Sequence, residues 1–146
     1  MLKFQGQIPF VESLGFELLS FANGAAEIAL APRPEQMNSW GVLHGGVTMT
    51  LLDVAMAQAA RSPHDGVAPD ERGVVTVEMK TSFMGPGVGP VLARGRVLRK
   101  TSTLAFCEGS LFGDDETLIA HATGTFKYLA ALSVGGRRLQ RLNASD

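Results

Sequence analysis

The sequence is poor in cysteine, in charge and in aromatic residues. A single cysteine, Cys107, among 146 residues excludes an intrachain disulfide framework and a cysteine-rich zinc cage. Charged residues make up 18%, below the usual ~25%, which points to surface hidden against another subunit. The 13 Lys and Arg balance 14 Asp and Glu, so the chain has no basic footprint for nucleic acid. No apolar run is long enough to span a bilayer: the stretch Gly45 to Ala60 contains Asp53 and falls short of the ~20 residues needed. The opening MLKFQGQIPFVESLGF has no continuous apolar core and no small-residue cleavage site, so no signal peptide is read and a cytoplasmic location is expected. The G-x-S-x-G motif is absent, which argues against an α/β-hydrolase. The remaining composition, 45% hydrophobic, excludes disorder, and the length suits one domain that buries roughly 68–70% of its unfolded surface.

Along the chain, Ile8 to Leu14 reads as a short helix and Phe16 to Pro32 as a hairpin. Asn23-Gly24 is its turn, because both central residues of that turn need positive φ. A loop, PRPEQMNSWG, follows. GGVTMTLLDVAMAQAAR then predicts a helix of about four turns ending before Ser62-Pro63. It is apolar nearly all the way round, the mark of a helix buried on every side. Beyond it only strand signals appear. VVTVEMKTSFM alternates, with Val75, Val77, Met79, Thr81 and Phe83 on one face and Thr76, Glu78, Lys80 and Ser82 on the other. Gly85 to Pro90 is a turn, since no helix or Lys follows to make it a phosphate loop. VLARGRVLRK, TLAFCEGSLF and TLIAHATGTFKYL complete four antiparallel strands. Ala120, Ala122 and Gly124 form a small-residue face on which a helix can lie close. Residues 1–129 form the domain, and 130–146 are expected as a polar, mobile tail. One all-round apolar helix needs a sheet curled about it, an α+β architecture.

The chemistry sits between Asn38 and Asp53. Asp53 lies among Leu51, Leu52, Val54, Ala55 and Met56, and a carboxylate buried there must be paired, open to a cleft or protonated. The bland alternative is a helix carboxylate turned to a polar neighbour. His44-Gly45-Gly46 opens the helix, and glycines there leave N–H groups bare at the positive end of the dipole, suited to polarising a carbonyl. Against that stands a plain tight turn with His44 as cap. Cys107 in an alternating strand reads as core packing. His44, His64 and His121 have no ligand spacing, so no metal is expected. Arg94, Arg96, Arg99 and Lys100 could meet phosphates or simply form a solvated strand edge. Trp40, Met49, Phe83 and Met84 could line an aromatic or aliphatic pocket or pack in the core.

The spacing N-x-x-G-x-x-H-G-G, with an acid seven residues beyond the second Gly, resembles the hotdog-fold thioesterases of the PaaI-like family. The matching residues are Asn38, Gly41, His44, Gly45, Gly46 and Asp53, and the resemblance runs from the hairpin to Tyr128. It implies a curved antiparallel sheet wrapped around one long helix. It also implies hydrolysis of an acyl-coenzyme A thioester without metal or cofactor. The Gly45 amide and the Asn38 side chain would polarise the carbonyl, with His44 at the helix start. Asp53 would activate water or attack directly, helped by a hydroxyl that here falls on Thr76. Gly46, Phe83, Arg99 and Lys100 are the candidate substrate-binding residues. A hotdog hydratase or dehydratase and a non-catalytic acyl-CoA-binding protein are the rival readings, separable by water addition to an enoyl thioester and by binding without turnover.

Helical phase bears on assembly. His44 and Asp53 are nine residues apart, which puts them on opposite helix faces and about 13.5 Å apart along the axis. A site shared across a twofold is therefore expected, in a dimer or a dimer of dimers (a homotetramer), as is the family's habit.

Overall fold

The computed structural model describes residues 2–142. Its elements run α1 (Pro9–Leu14), β1 (Glu17–Ala22), β2 (Ala25–Leu30), α2 (Gly45–Arg61), β3 (Gly73–Phe83), β4 (Val91–Lys100), β5 (Leu104–Gly113), β6 (Leu118–Leu129), β7 (Leu132–Val134) and β8 (Arg137–Leu139). The first six strands form one antiparallel sheet in the order β1-β2-β4-β5-β6-β3. Asn23 and Gly24 turn β1 into β2 with φ of 55° and 69°, as the Asn-Gly pair demands.

The sheet curls around α2, and its small residues set how close the helix comes. Ala120 and Ala122 on β6 are fully buried, and a Cβ added to Gly124 would stand 3.1 Å from the Met56 methyl. Gly95 on β4 is tighter still: a Cβ there would sit 2.4 Å from the Ala55 carbonyl oxygen. At the helix end the Tyr128 hydroxyl donates to the Ala60 carbonyl at 2.5 Å, satisfying one of the carbonyls that a helix leaves orphaned. Leu51, Leu52, Ala55 and Met56 from α2 meet Ile28, Leu111 and Phe126 from the sheet in the core.

Three expectations need correction. The helix is not buried on every side: Gly46, Thr50, Asp53 and Ala57 stay partly or fully open, and at steps of four and three they make one continuous stripe. Residues 132–139 of the expected tail are not structureless. They form the β7–β8 hairpin around Gly135 and Gly136, both with positive φ, a two-glycine turn of the kind hairpins favour. Residues 140–142 return to the body, where the Leu142 carbonyl accepts from Gln7 N–H. Residues 143–146 lie outside the described residues.

Strand β3 departs from strict alternation. Its pairing with β6 slips between Thr76 and Glu78, a bulge that inserts one extra residue and switches the side-chain parity. Val74 and Met79 both pack on the core, although one is ahead of the bulge and the other behind it. Val75 and Val77, expected to face the same way as Met79, are exposed.

Candidate active site

Helix α2 carries both halves of the candidate site. At its start, His44 is the N-cap, with Nδ1 accepting from the Gly46 N–H at 2.8 Å. Its carbonyl accepts from Val47 and Thr48, and its own N–H donates to the Gln36 carbonyl. Every N–H of the first turn is thereby spent except that of Gly45, which has no acceptor among the described residues. The expectation of two bare glycine amides is thus corrected: the Gly46 amide is consumed by His44. Two glycines still matter, because a Cβ on Gly45 would lie 3.2 Å from the Phe83 ring.

Asn38 reaches this helix start on the preceding loop. Its Oδ1 accepts from the N–H groups of Trp40 and Val42, at 2.9 and 3.3 Å, a local turn of the kind Asx side chains make. Gly41, at φ 73°, closes the loop by donating to the Asn38 carbonyl. The Asn38 Nδ2 has no partner among the described residues and remains a free donor. Trp40, a candidate pocket residue, is 87% exposed, and Met84 is exposed too.

Asp53 lies eight residues past Gly45. The Thr76 hydroxyl donates to its Oδ1 at 2.6 Å, a charge-assisted bond. Burial raises the Asp53 carboxyl above its ordinary value, and the Thr76 bond partly opposes that rise. The bulge makes this contact possible, because unbroken alternation would have placed Thr76 with Glu78 on the outer face. Asp53 and Thr76 border a cavity of about 290 Å³. Its helix wall is the stripe Asp53, Val54, Ala57, Gln58, Arg61, and the two terminal segments, Gln5–Ile8 and Arg141–Leu142, close its sides.

The structure does not bring Asp53 to the Gly45 amide. Gly45 and Asp53 are about 80° apart in helical phase, so they are not on opposite faces, which corrects the phase argument drawn from His44. What separates them is rise, about 12 Å along the axis. Helix N–H groups also point out past the N-terminus, so a carbonyl bound to Gly45 lies about 3 Å further from Asp53 still.

The two basic candidates also fall apart. Lys100 Nζ lies 3.4 Å from Asp70 Oδ2 and 4.9 Å above the Tyr128 ring, so its charge is already engaged. Arg99 is exposed on β4 opposite Phe106. Cys107 is buried and its thiol is pushed up to about 12 by that burial, which leaves it unreactive. Among the described residues no cluster of three His, Cys, Asp or Glu could hold a metal ion. Sequence reading missed Gln58, Arg61 and Arg141. For the first two the signal was present: they are the polar residues five and eight positions past Asp53 in an otherwise apolar helix.

Comparison with known proteins now bears on this geometry. The thioesterase superfamily model matches residues 41–120, from the loop glycine through the helix and β3 into β6. The medium/long-chain acyl-CoA thioesterase YigI of Salmonella typhimurium is 28% identical over 131 residues, covering 82% of this chain and 84% of its own. The structure of the conserved protein PA5202 from Pseudomonas aeruginosa superposes with a TM-score of 0.77 at 31% identity, over 86% of this chain and 97% of that one. PaaI of Escherichia coli, from the phenylacetic acid degradation operon, has the same fold, with a TM-score of 0.74 at 19% identity over 82% and 83% of the two chains. The matched segment holds the free Gly45 amide, the Asp53–Thr76 pair and the strand that joins them, and the chain belongs to the thioesterase superfamily, with the hotdog fold.

Proposed function

We propose that the protein is an acyl-CoA thioesterase. The observation that carries this reading is the Asp53–Thr76 pair, a half-buried carboxylate with a raised pKa held at the edge of a cavity. A carboxylate tuned upward toward working pH is what a general base for water needs. In the proposed step, water attacks the thioester carbon and Asp53 takes its proton. The Gly45 N–H and the Asn38 Nδ2 receive the developing oxyanion. The C–S bond then breaks, and the proton passes from Asp53 to the coenzyme A thiolate. Direct attack by Asp53 would instead form a mixed anhydride, and water opening it at the Asp53 carbonyl in a single turnover in ¹⁸O water would label the enzyme carboxylate.

The YigI relative acts on medium and long acyl-CoA by its name, and an acyl-CoA is the substrate class we infer here. Amide, carboxylate and hydroxyl together supply what thioester hydrolysis requires, so we infer no metal or cofactor. Because Gly45 points away from Asp53, each site would take its carbonyl-polarising groups from one subunit and its carboxylate from another. The open stripe on α2 and the exposed Val75 and Val77 of β3 support such a homo-oligomer, a dimer or a dimer of dimers. Among the described residues no helix is long and apolar enough to cross a membrane, and a cytoplasmic location fits a chain whose one cysteine is free. Thiol release from a panel of aromatic, short-chain and long-chain acyl-CoA substrates tests the reading. Turnover of at least one, lost in Asp53→Asn, supports it. Tight binding without turnover would instead make the protein a carrier.

A further inference from the structure

The cavity beside Asp53 has two chemically different ends. Along α2 it runs from Asp53 to Arg61, eight residues or about 12 Å. The near end carries Asp53 and Thr76. At the far end stand Gln58 and Arg61, 3% and 4% exposed, with Arg141 against them.

These far-end groups are not satisfied by the protein. Gln58 makes no side-chain hydrogen bond among the described residues, and its Oε1 is buried without a partner. Oε1 only accepts and is not a group an anion can satisfy, but the Gln58 Nε2 likewise donates to nothing there and has N–H groups to give. Arg61 donates from Nε to the Arg72 carbonyl and from its two terminal nitrogens to the Gln5 carbonyl and Gln5 Oε1, at 2.9, 3.3 and 3.1 Å. That uses three of the five N–H groups a guanidinium offers. Every acceptor is neutral, and no carboxylate lies within 4 Å of Arg61 among the described residues. Arg141 donates to the Glu71 carbonyl, also a neutral acceptor, and packs its Cδ against Gly73. The nearby carboxylate of Asp70 is bound to Arg72 and Lys100. Burial and the neighbouring Arg141 push Arg61 down to about 10, with Asp70 pulling the other way. Among the described residues two guanidiniums, the buried Arg61 and the exposed Arg141, therefore share one cavity end without a counter-ion of their own, and a buried charge such as that of Arg61 is normally paired. Among the described residues the only acid lining the same cavity is Asp53, at the opposite end.

Resting on the thioesterase reading, we propose that this far end is an anion site and that it selects acyl groups ending in a carboxylate. The thioester carbonyl lies at Asp53, the acyl chain follows the Val54–Ala57 floor, and the terminal carboxylate accepts from Arg61, Arg141 and the Gln58 Nε2. A volume of about 290 Å³ holds about ten heavy atoms at a water's ~30 Å³ each. A short ω-carboxyacyl chain fits that space.

The experiment compares three CoA thioesters of equal chain length, ending in methyl, hydroxyl or carboxylate, on the full chain. The expected order of kcat/KM is carboxylate first, by at least ~10-fold over methyl, as for a site whose buried polar groups await a partner. Arg141→Gln and Gln58→Leu should each collapse that ratio. They are chosen because Arg61 also ties the N-terminal segment down, and its loss could unfold the wall. Turnover with methyl equal to or above carboxylate overturns the proposal while leaving the thioesterase reading intact. So does an Arg141→Gln variant that weakens all three substrates alike, the pattern of a guanidinium meeting a coenzyme A phosphate. If no thioester turns over, the thioesterase reading falls. The site is then judged by calorimetry with free short dicarboxylates, where binding lost in Arg141→Gln upholds it and absence of binding ends it.

Discussion

Sharing of the site between two chains is the prediction with the sharpest arithmetic. The perturbation is a pair of chains, one Asp53→Asn and one Asn38→Ala. A carbonyl that accepts from Gly45 lies beyond the helix start, about 15 Å along the axis from Asp53 of the same chain. Water bound at that carbonyl must be within about 3 Å of its base, so Asp53 of the same chain cannot serve it. Asp53→Asn alone should lower kcat by ~10²–10⁴, the worth of a general base. Asn38→Ala should lower it by ~10–10³, the worth of one oxyanion donor. Each homodimer carries one lesion in every site. In a mixed dimer, one site carries both lesions and the other none. Complete exchange of equal amounts makes half the dimers mixed, so about a quarter of all sites are intact, and activity should rise to about a quarter of wild type. The assay is thiol release before and after exchange, with exchange itself followed by mass spectrometry of tagged chains. Complete exchange with activity still at parental levels refutes the argument from helix direction.

Asp53→Asn should also raise the melting temperature at neutral pH. The native carboxyl sits above its ordinary value through burial, so the charged form costs stability as pH rises through that range, and the gain should vanish below it, where both side chains are neutral. Thr76→Val removes the bond that holds the Asp53 pKa down, so the acid limb of the kcat/KM profile should move to higher pH with a smaller loss of rate than in Asp53→Asn. Gly95→Ala drives a Cβ into the Ala55 backbone and should cost at least ~2 kcal/mol in urea unfolding. Gly85→Ala meets nothing within 4 Å and should stay within about 0.5 kcal/mol.

Local chemistry made much of this legible from sequence. The helix limits at Gly45 and Arg61, the Asn23-Gly24 turn and the small-residue face on β6 follow from propensities and turn chemistry that act over a few residues. Asn38, Gly45 and Asp53 could be nominated because polar or bare groups in an apolar setting need a reason. Three things were hidden for a different reason. The pairing of Thr76 with Asp53 depends on a bulge that alternation cannot show. The cap was open as an alternative for His44, but that it takes the Gly46 amide depends on which way the His44 ring turns. The cavity walls come from Gln5 and Arg141, near opposite ends of the chain, and no local pattern encodes their meeting. The Gly135-Gly136 turn, by contrast, was written in the sequence and carries an ordinary hairpin signal.

The bulge in β3 makes the site sensitive to register as well as to identity. Thr76 faces the helix only because an odd residue, Val77, is stored between it and Glu78. Side chains on that exposed stretch can be exchanged with little effect on the fold. Losing the bulge while keeping Val77 is another matter: if Val77 were drawn into the regular pleat, the stretch before it would rotate by one face, turning Thr76 outward and Val75 toward Asp53. Over generations such a strand can drift freely by substitution so long as the bulge stays between Thr76 and Glu78.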